Sequence, residues 1–200
     1  MDGGWLLDVV LMTAQLYAVL NPVSVLPTFA SLVGGLGQAE KAEAVKKASV
    51  YVLTLMVVFA VSGGVLLSFL NVSIASLRFG GGVLLMVIAI DMLSGISRTK
   101  MLENTEESLI VPIATPLLVG PGTMTTLVVL TATHGLLKTL PATVAAALLV
   151  YLTLRFGDLL LEVAGKNVVR SMGRFMAVII ASISAEMIHS ALLEWGLFYR

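Results

Sequence analysis

Apolar runs of roughly 20 residues recur along the whole of this chain, and each is long enough to cross a bilayer as a helix. Only 12% of the 200 residues are charged, whereas about a quarter is usual for a soluble domain. The runs leave no room for a further soluble domain. The sequence therefore predicts an all-α integral membrane protein whose membrane region carries the function.

Six membrane-spanning helices are predicted, separated by short polar or glycine-rich connections. They cover approximately residues 5–33, 46–70, 74–96, 109–133, 140–162 and 168–193. The connection after the third helix is the longest and the most acidic. It divides a single transmembrane domain, 1–200, into one half at about 1–97 and another at about 108–200.

Lysine and arginine are distributed unevenly between the two sets of loops. One set holds Lys41, Lys46, Lys47, Arg98, Lys100, Lys166, Arg170 and Arg174, and the other holds Arg78, Lys138 and Arg200. Because short cytoplasmic loops are enriched in these residues, the first set is expected in the cytoplasm. The chain is then a multi-pass protein of the cell membrane with both termini outside.

A proline break recurs within helices one and four, at Asn21-Pro22 and Gly120-Pro121. An acid followed by methionine recurs in helices three and six, as Asp91-Met92 and Glu186-Met187. With three helices per half, the second half enters the membrane from the opposite side. The pattern predicts two inverted repeats of three helices, with helices one and four discontinuous at the bilayer midplane, as in many secondary transporters.

The two breaks are the predicted binding site. Proline ends one helix and begins another well, with Asn21 expected as an N-cap, and the new helix start exposes backbone N–H groups and a partial positive charge. The preceding helix end exposes carbonyls, so an α-amino acid zwitterion satisfies both ends. The predicted substrate-binding residues are Leu20, Asn21, Pro22, Val23, Ser24, Val119, Gly120, Pro121, Gly122 and Thr123.

Two acidic residues inside the predicted helices are candidates for coupling to an ion, either a proton or sodium. Glu186 lies deep in helix six, where a charged carboxylate costs at least about 2.5–3.5 kcal/mol, so it is the first candidate for proton coupling. Asp91 near the end of helix three is the second. The alternatives are a neutral Glu186 bonded to another helix and an interfacial Asp91 near Arg98.

Other functions find less support in the sequence. No hydrolase or metalloprotease motif, metal-ligand cluster or cofactor motif is present, there is no cysteine, and the zero net charge gives no basic surface for nucleic acid. An enzyme is therefore not expected. An exporter of another small solute, drug or ion, a cation channel and a non-transporting scaffold stay open as alternatives.

The motifs of this chain resemble those of the MarC-related integral membrane proteins. The likeness covers nearly the whole chain and rests on Asn21-Pro22-Val23 with Pro27, on the stretch 78–85 and on the stretch 116–123. The last reads Pro-Leu-Leu-Val-Gly-Pro-Gly-Thr, close to the family's usual Pro-Leu-Leu-Ala-Gly-Pro-Gly.

The resemblance implies a transporter of small neutral amino acids such as glycine and alanine, with proton dependence in some members. It assigns substrate binding to residues 21–24 and 120–123. Two departures stand out. Ser24 replaces a glycine that many members have, and Val119 replaces the usual alanine. Both changes narrow the expected pocket and favour a smaller substrate.

Overall fold

Seven α-helices run through the parts of the chain that the computed structural model describes, residues 3–94 and 118–197, and those parts contain no strand. The helices are α1 (Gly3–Leu20), α2 (Pro22–Val33), α3 (Gln38–Leu70), α4 (Ile74–Ser94), α5 (Pro121–His134), α6 (Leu136–Arg155) and α7 (Gly157–Glu194). The all-α fold class is thus as predicted. The acidic connection predicted at 97–108 lies outside the described residues.

Four helical segments are long and apolar enough to cross a membrane: Gln38–Leu70, Ile74–Ser94, Leu136–Arg155 and Asn167–Glu194. The pair Gly4–Leu20 and Pro22–Val33 passes the same criterion together, bent by 46°. The described residues therefore contain four candidate spans, or five if the bent pair is one span. The predicted fourth span, 109–133, is described only from Leu118 onward.

The predicted fifth span, 140–162, is wrong at its end. Helix α6 ends at Arg155, and Phe156, with φ −98° and ψ 13°, separates it from α7. Residues 157–162 belong to α7, which itself breaks at Gly165, where φ is 77°. Arg155, Gly157 and Asp158 flank the first break, but the prediction placed them inside one span because the apolar residues around them together are long enough to cross a bilayer.

Apolar side chains on the outside of the helices support membrane embedding. Phe69 is 85% exposed and Val65 is 73% exposed, and many other large apolar residues are similarly uncovered. A soluble monomer rarely exposes so much contiguous apolar surface. In a bilayer these side chains face lipid, so the exposed surface agrees with the predicted multi-pass membrane protein.

Glycines let α4 approach its neighbours closely. A methyl group added at Gly81 would lie 2.9 Å from Cβ of Thr125 in α5 and 3.3 Å from Cε of Met187 in α7. The Ser184 hydroxyl of α7 donates a hydrogen bond of 2.6 Å to the carbonyl of Gly82. Small residues at such contacts allow the backbones to pack tightly where no hydrophobic effect drives association.

Ion pairs connect distant parts of the chain at the helix ends. Lys41 of α3 lies 3.3 Å from Asp158 of α7. Arg78 bonds Glu194 at 3.0 Å, and Lys138 bonds Asp8 at 2.7 Å. In the predicted topology the first pair belongs to one membrane face and the other two pairs belong to the opposite face.

Substituting adjacent glycines of α4 tests this packing. We expect Gly81→Ala to lower the free energy of unfolding by about 1–3 kcal/mol, because the stiff Thr125 side chain must move. Gly80→Ala is the matched control, since no heavy atom lies within 4 Å of its added methyl group. Thermal unfolding in detergent measures both, and equal melting temperatures for the two variants would contradict the packing.

Candidate functional site

The first break is a single residue between α1 and α2. Asn21 adopts the left-handed conformation, with φ 46° and ψ 54°, and α2 begins at Pro22. Proline disfavours helical geometry in the residue before it, and asparagine is one of few residues that tolerate the left-handed region. Asn21 was predicted as an N-cap, but its side chain makes no capping bond. Asn21 thus occupies the predicted N-cap position, but the left-handed backbone turns the chain there without a side-chain cap.

At this break, one backbone hydrogen-bond acceptor and one backbone donor lack a partner within a helix. The Asn21 amide donates to the Tyr17 carbonyl at 3.0 Å, and the Ser24 amide donates to the Asn21 carbonyl at 3.2 Å. The Pro22 nitrogen carries no hydrogen, so the Ala18 carbonyl receives no helical bond. The Val23 amide lies in the first turn of α2, where N–H groups have no intrahelical acceptor.

Two side-chain atoms at the first break are buried without a partner among the described residues. Asn21 is only 6% exposed; its Nδ2 donates weakly to Sδ of Met92 at 3.6 Å, while its Oδ1 accepts no hydrogen bond. The Ser24 hydroxyl is equally enclosed and unpaired. Each such group costs about 1–3 kcal/mol, so a native structure that keeps two side by side calls for a functional explanation.

The second break precedes α5. Gly120 is extended, with φ −88° and ψ 179°, and α5 starts at Pro121. Thr123 in the first turn is 2% exposed, and its hydroxyl makes only a long bond of 3.4 Å to the Leu118 carbonyl. The amides of Gly122 and Thr123 occupy the positions that lack an intrahelical acceptor. This break offers amide donors and a weakly engaged hydroxyl.

Helix α4 brings the two breaks together. Met92 contacts Asn21 at the first break. Two turns earlier, a methyl group added at Gly122 of the second break would lie 2.5 Å from Cδ2 of Leu85. The apolar residues beside the breaks also belong to one buried cluster, which includes Leu20, Val23, Leu118 and Val119. The predicted site residues from the two halves of the chain are therefore neighbours in the fold.

A cavity of about 590 Å³ adjoins the first break. Tyr17 and Val23 line one side of it, and α7 lines the other with Asn167, Ser171, Met172 and Met176, among others. The volume lies within the range of roughly 300–1,000 Å³ that ligand pockets occupy. Asn21 and Ser24 do not line this cavity themselves; it reaches the first break through Val23, which lies between them in the chain.

The two acidic candidates differ in their position relative to the breaks. Asp91 lies in the last turn of α4, one residue before Met92, whose sulfur contacts Asn21. Glu186 is exposed on α7, and the Ser190 hydroxyl lies 3.4 Å from its Oε1. Both carboxylates stay candidates for ion coupling.

A model of the MarC family of integral membrane proteins matches residues 7–196. This chain belongs to the MarC family. The matched range contains both proline breaks and every helix that packs around them.

Archaeal relatives agree with the assignment. A UPF0056 membrane protein of Methanocaldococcus jannaschii is 30% identical over 90% of this chain and 93% of its own. One from Pyrococcus horikoshii is 33% identical over 86% of this chain and 88% of its own. The names of these relatives describe membrane proteins and state no substrate. No solved structure matches the MarC chain.

Sequence reasoning missed two residues that border the site in this MarC protein. Met92 was noted only as part of a repeated pair, although its sulfur contacts Asn21. Gly173 of α7 was not singled out, although it lies directly against Ser24. An isolated glycine inside a helix can indicate close backbone approach, but Gly173 lies between Arg170 and Arg174, where the sequence predicted a helix end at the membrane surface.

The left-handed backbone at Asn21 has a direct test. Asn21→Ala should lower the free energy of unfolding by about 1–2 kcal/mol relative to Asn21→Gly, because alanine is strained at positive φ. Asn71, with φ 54° at the end of α3, is a matched position far from the breaks and should show the same difference. If the alanine and glycine variants at position 21 had the same free energy of unfolding while those at position 71 differed, the backbone at Asn21 would not be left-handed.

Proposed function

We propose that this MarC protein is a secondary transporter of small neutral amino acids such as glycine and alanine, rather than an enzyme. The observation that carries the proposal is the pair of buried, unpartnered atoms at the first break, Oδ1 of Asn21 and Oγ of Ser24. Val23, which lies between these two residues in the chain, lines the cavity. A buried polar side-chain atom without a partner is costly, and a bound solute or water that supplies the missing hydrogen bond removes that cost.

The substrate ammonium binds at the first break. An amide oxygen only accepts hydrogen bonds, so whatever satisfies Oδ1 of Asn21 must bring a donor. The Ala18 carbonyl, which has lost its helical donor to Pro22, is a second acceptor of the same polarity. The nearby Asp91 adds a negative charge at the end of α4. An ammonium has three donors and a positive charge, so it matches all of these groups.

The substrate carboxylate binds between the two helix starts. The amides of Val23, Gly122 and Thr123 all lie in first turns, where unpaired N–H groups and the helix dipole favour an anion. The Thr123 hydroxyl can exchange its long bond to Leu118 for a shorter one to the carboxylate. The side chain of a small substrate packs against the buried apolar cluster that contains Val23 and Val119.

The proposal includes six spans in two inverted halves, 1–97 and 108–200, with each proline break inside one discontinuous span. The helix contacts support this symmetry. In the two halves, α2 corresponds to α5, α3 to α6 and α4 to α7. Each of the pairs α3–α6 and α4–α7 is in contact, as expected for equivalent helices around a symmetry axis. The contact of α4 with α5 has its symmetry equivalent in the contact of α7 with α2, and both contacts are present. Alternating access would rock one half against the other around the breaks.

Coupling to a proton or sodium also belongs to the proposal. Glu186 and Asp91 are the two candidate coupling carboxylates, and Asp91 directly precedes Met92, whose sulfur contacts Asn21. A carboxylate whose charge state changes when the substrate binds couples the movement of the amino acid to the movement of the ion.

Orientation in the cell membrane can be measured with introduced cysteines, since the chain has none of its own. We expect Val72→Cys and Leu137→Cys to react with an impermeant maleimide in intact cells, because they belong to the lysine-poor face. Gly35→Cys and Val163→Cys should react only after permeabilisation. If the variants at 35 and 163 were labelled in intact cells and those at 72 and 137 were not, the topology would be inverted. If only one of the two variants of a pair were labelled in intact cells, the predicted helix arrangement would be contradicted.

Substrate binding can be tested with analogues that lack one charged group. We expect glycine and alanine to raise the melting temperature of the purified protein in a saturable way, because a ligand that binds the native state stabilises it. Trimethylglycine has no N–H donor for Oδ1 of Asn21 and should fail to do so. Glycinamide, which lacks the carboxylate, should fail as well.

Variants with matched controls locate the binding. Asn21→Gly keeps the left-handed backbone and removes the amide oxygen, and Thr123→Val removes a hydroxyl with little change of shape, so both should abolish the glycine response. Asn71→Gly and Thr143→Val are the controls, the latter at a buried threonine of α6. A protein that unfolds cooperatively but responds to no amino acid would contradict the proposal and favour an exporter of other solutes.

A further inference from the structure

Helix α2 packs against α7 through a contact between a hydroxyl and a glycine. A methyl group added at Gly173 would lie 2.5 Å from Oγ of Ser24 and 3.5 Å from its Cβ. Real Cβ atoms essentially never approach another heavy atom that closely. The hydroxyl therefore occupies space that exists only because residue 173 has no side chain.

The contact lies at the border of the cavity. Val23 precedes Ser24 and lines one side, and Met172 precedes Gly173 and lines the other. The Ser24 hydroxyl is buried in this contact and has no hydrogen-bond partner within residues 3–94 and 118–197. The hydroxyl is thus enclosed and unpaired, one residue along the chain from the cavity wall.

We propose that Ser24 and Gly173 form the size-selecting element of the site, with Gly173 as the residue that positions the Ser24 hydroxyl. This inference rests on the proposed function. The hydroxyl completes its hydrogen bonding on the bound amino acid and fills the space that a larger substrate side chain would need. Gly173 holds α7 close enough for Ser24 to stay in that position.

The proposal predicts a specific rescue. Gly173→Ala forces the hydroxyl to move and should weaken glycine binding about tenfold, the loss expected for one hydrogen bond. Ser24→Gly removes the obstructing atom, and the nearest remaining Ser24 atom, Cα, lies 3.8 Å from the added methyl group, which is an ordinary contact. The double variant should therefore unfold at a higher temperature than Gly173→Ala alone.

Selectivity is the readout that a purely structural contact would not change. Ser24→Gly should shift the preference of the site from glycine towards larger neutral amino acids such as valine, measured as the ratio of their dissociation constants. In the double variant the methyl group that Gly173→Ala adds refills part of the space, so the ratio should return towards that of the original chain.

A second glycine contact between the same two helices is the control. A methyl group added at Gly157 would lie 2.7 Å from Cδ2 of Leu26, an apolar side chain away from the breaks. Gly157→Ala should lower the melting temperature without changing the ratio of glycine to valine affinity.

The experiment is titration of the full chain and these variants in detergent with glycine, alanine and valine, by calorimetry and thermal unfolding. The expected result is a changed affinity ratio in Ser24→Gly and stability rescue in the double variant. If glycine bound to all variants with the same ratio of glycine to valine affinity, this inference would be overturned and the proposed function would still hold. No amino-acid response in the unmodified chain would overturn both.

Discussion

The nitrogen of proline carries no hydrogen, so one backbone carbonyl of the preceding helical turn loses its hydrogen-bond donor. Water can replace that donor in a soluble protein, but the hydrocarbon core of a membrane cannot. At Pro22 the missing donor interrupts the helical bonding of the chain, and the backbone turns through the left-handed Asn21 into a second helix bent by 46° from the first. Carbonyls at the end of α1 and amides at the start of α2 then lack their usual partners. Hydrocarbon cannot satisfy these groups, so the rest of the fold must enclose them or supply a solute that does.

The fold encloses them by close helix packing. Helix α4 lies between the breaks and contacts both, and its glycines allow α5 and α7 to approach it. Asn21 and Pro22 are buried at the first break, yet the side chains of Asn21 and Ser24 keep unpaired polar atoms in the interior. The left-handed backbone favours asparagine or glycine at position 21, but it does not require the unpaired Ser24 hydroxyl, and replacing such a group with an apolar one of the same shape can be neutral or stabilising. The presence of the unpaired atoms is the physical basis for placing a substrate here.

Much of the architecture follows from simple patterns in the sequence. Apolar runs and polar connections predicted the helices, and the two proline motifs predicted the helix starts at Pro22 and Pro121. The predictions failed at Phe156, where the polar residues Arg155 and Asp158 mark a helix break but were assigned to the inside of one span. They also failed where a partner is distant in sequence. Nothing near Ser24 indicates Gly173, and nothing near Asp158 indicates Lys41, because only the folded chain brings these residues together.

Counterflow in proteoliposomes tests the central claim most directly, namely that this MarC protein moves small neutral amino acids across the membrane. Vesicles containing the purified protein are loaded with unlabelled glycine and diluted into tritiated glycine. The account predicts a transient, saturable accumulation of label that alanine inhibits and that protein-free vesicles lack. Label entering at the protein-free rate, with the reconstituted protein still folded, would contradict it.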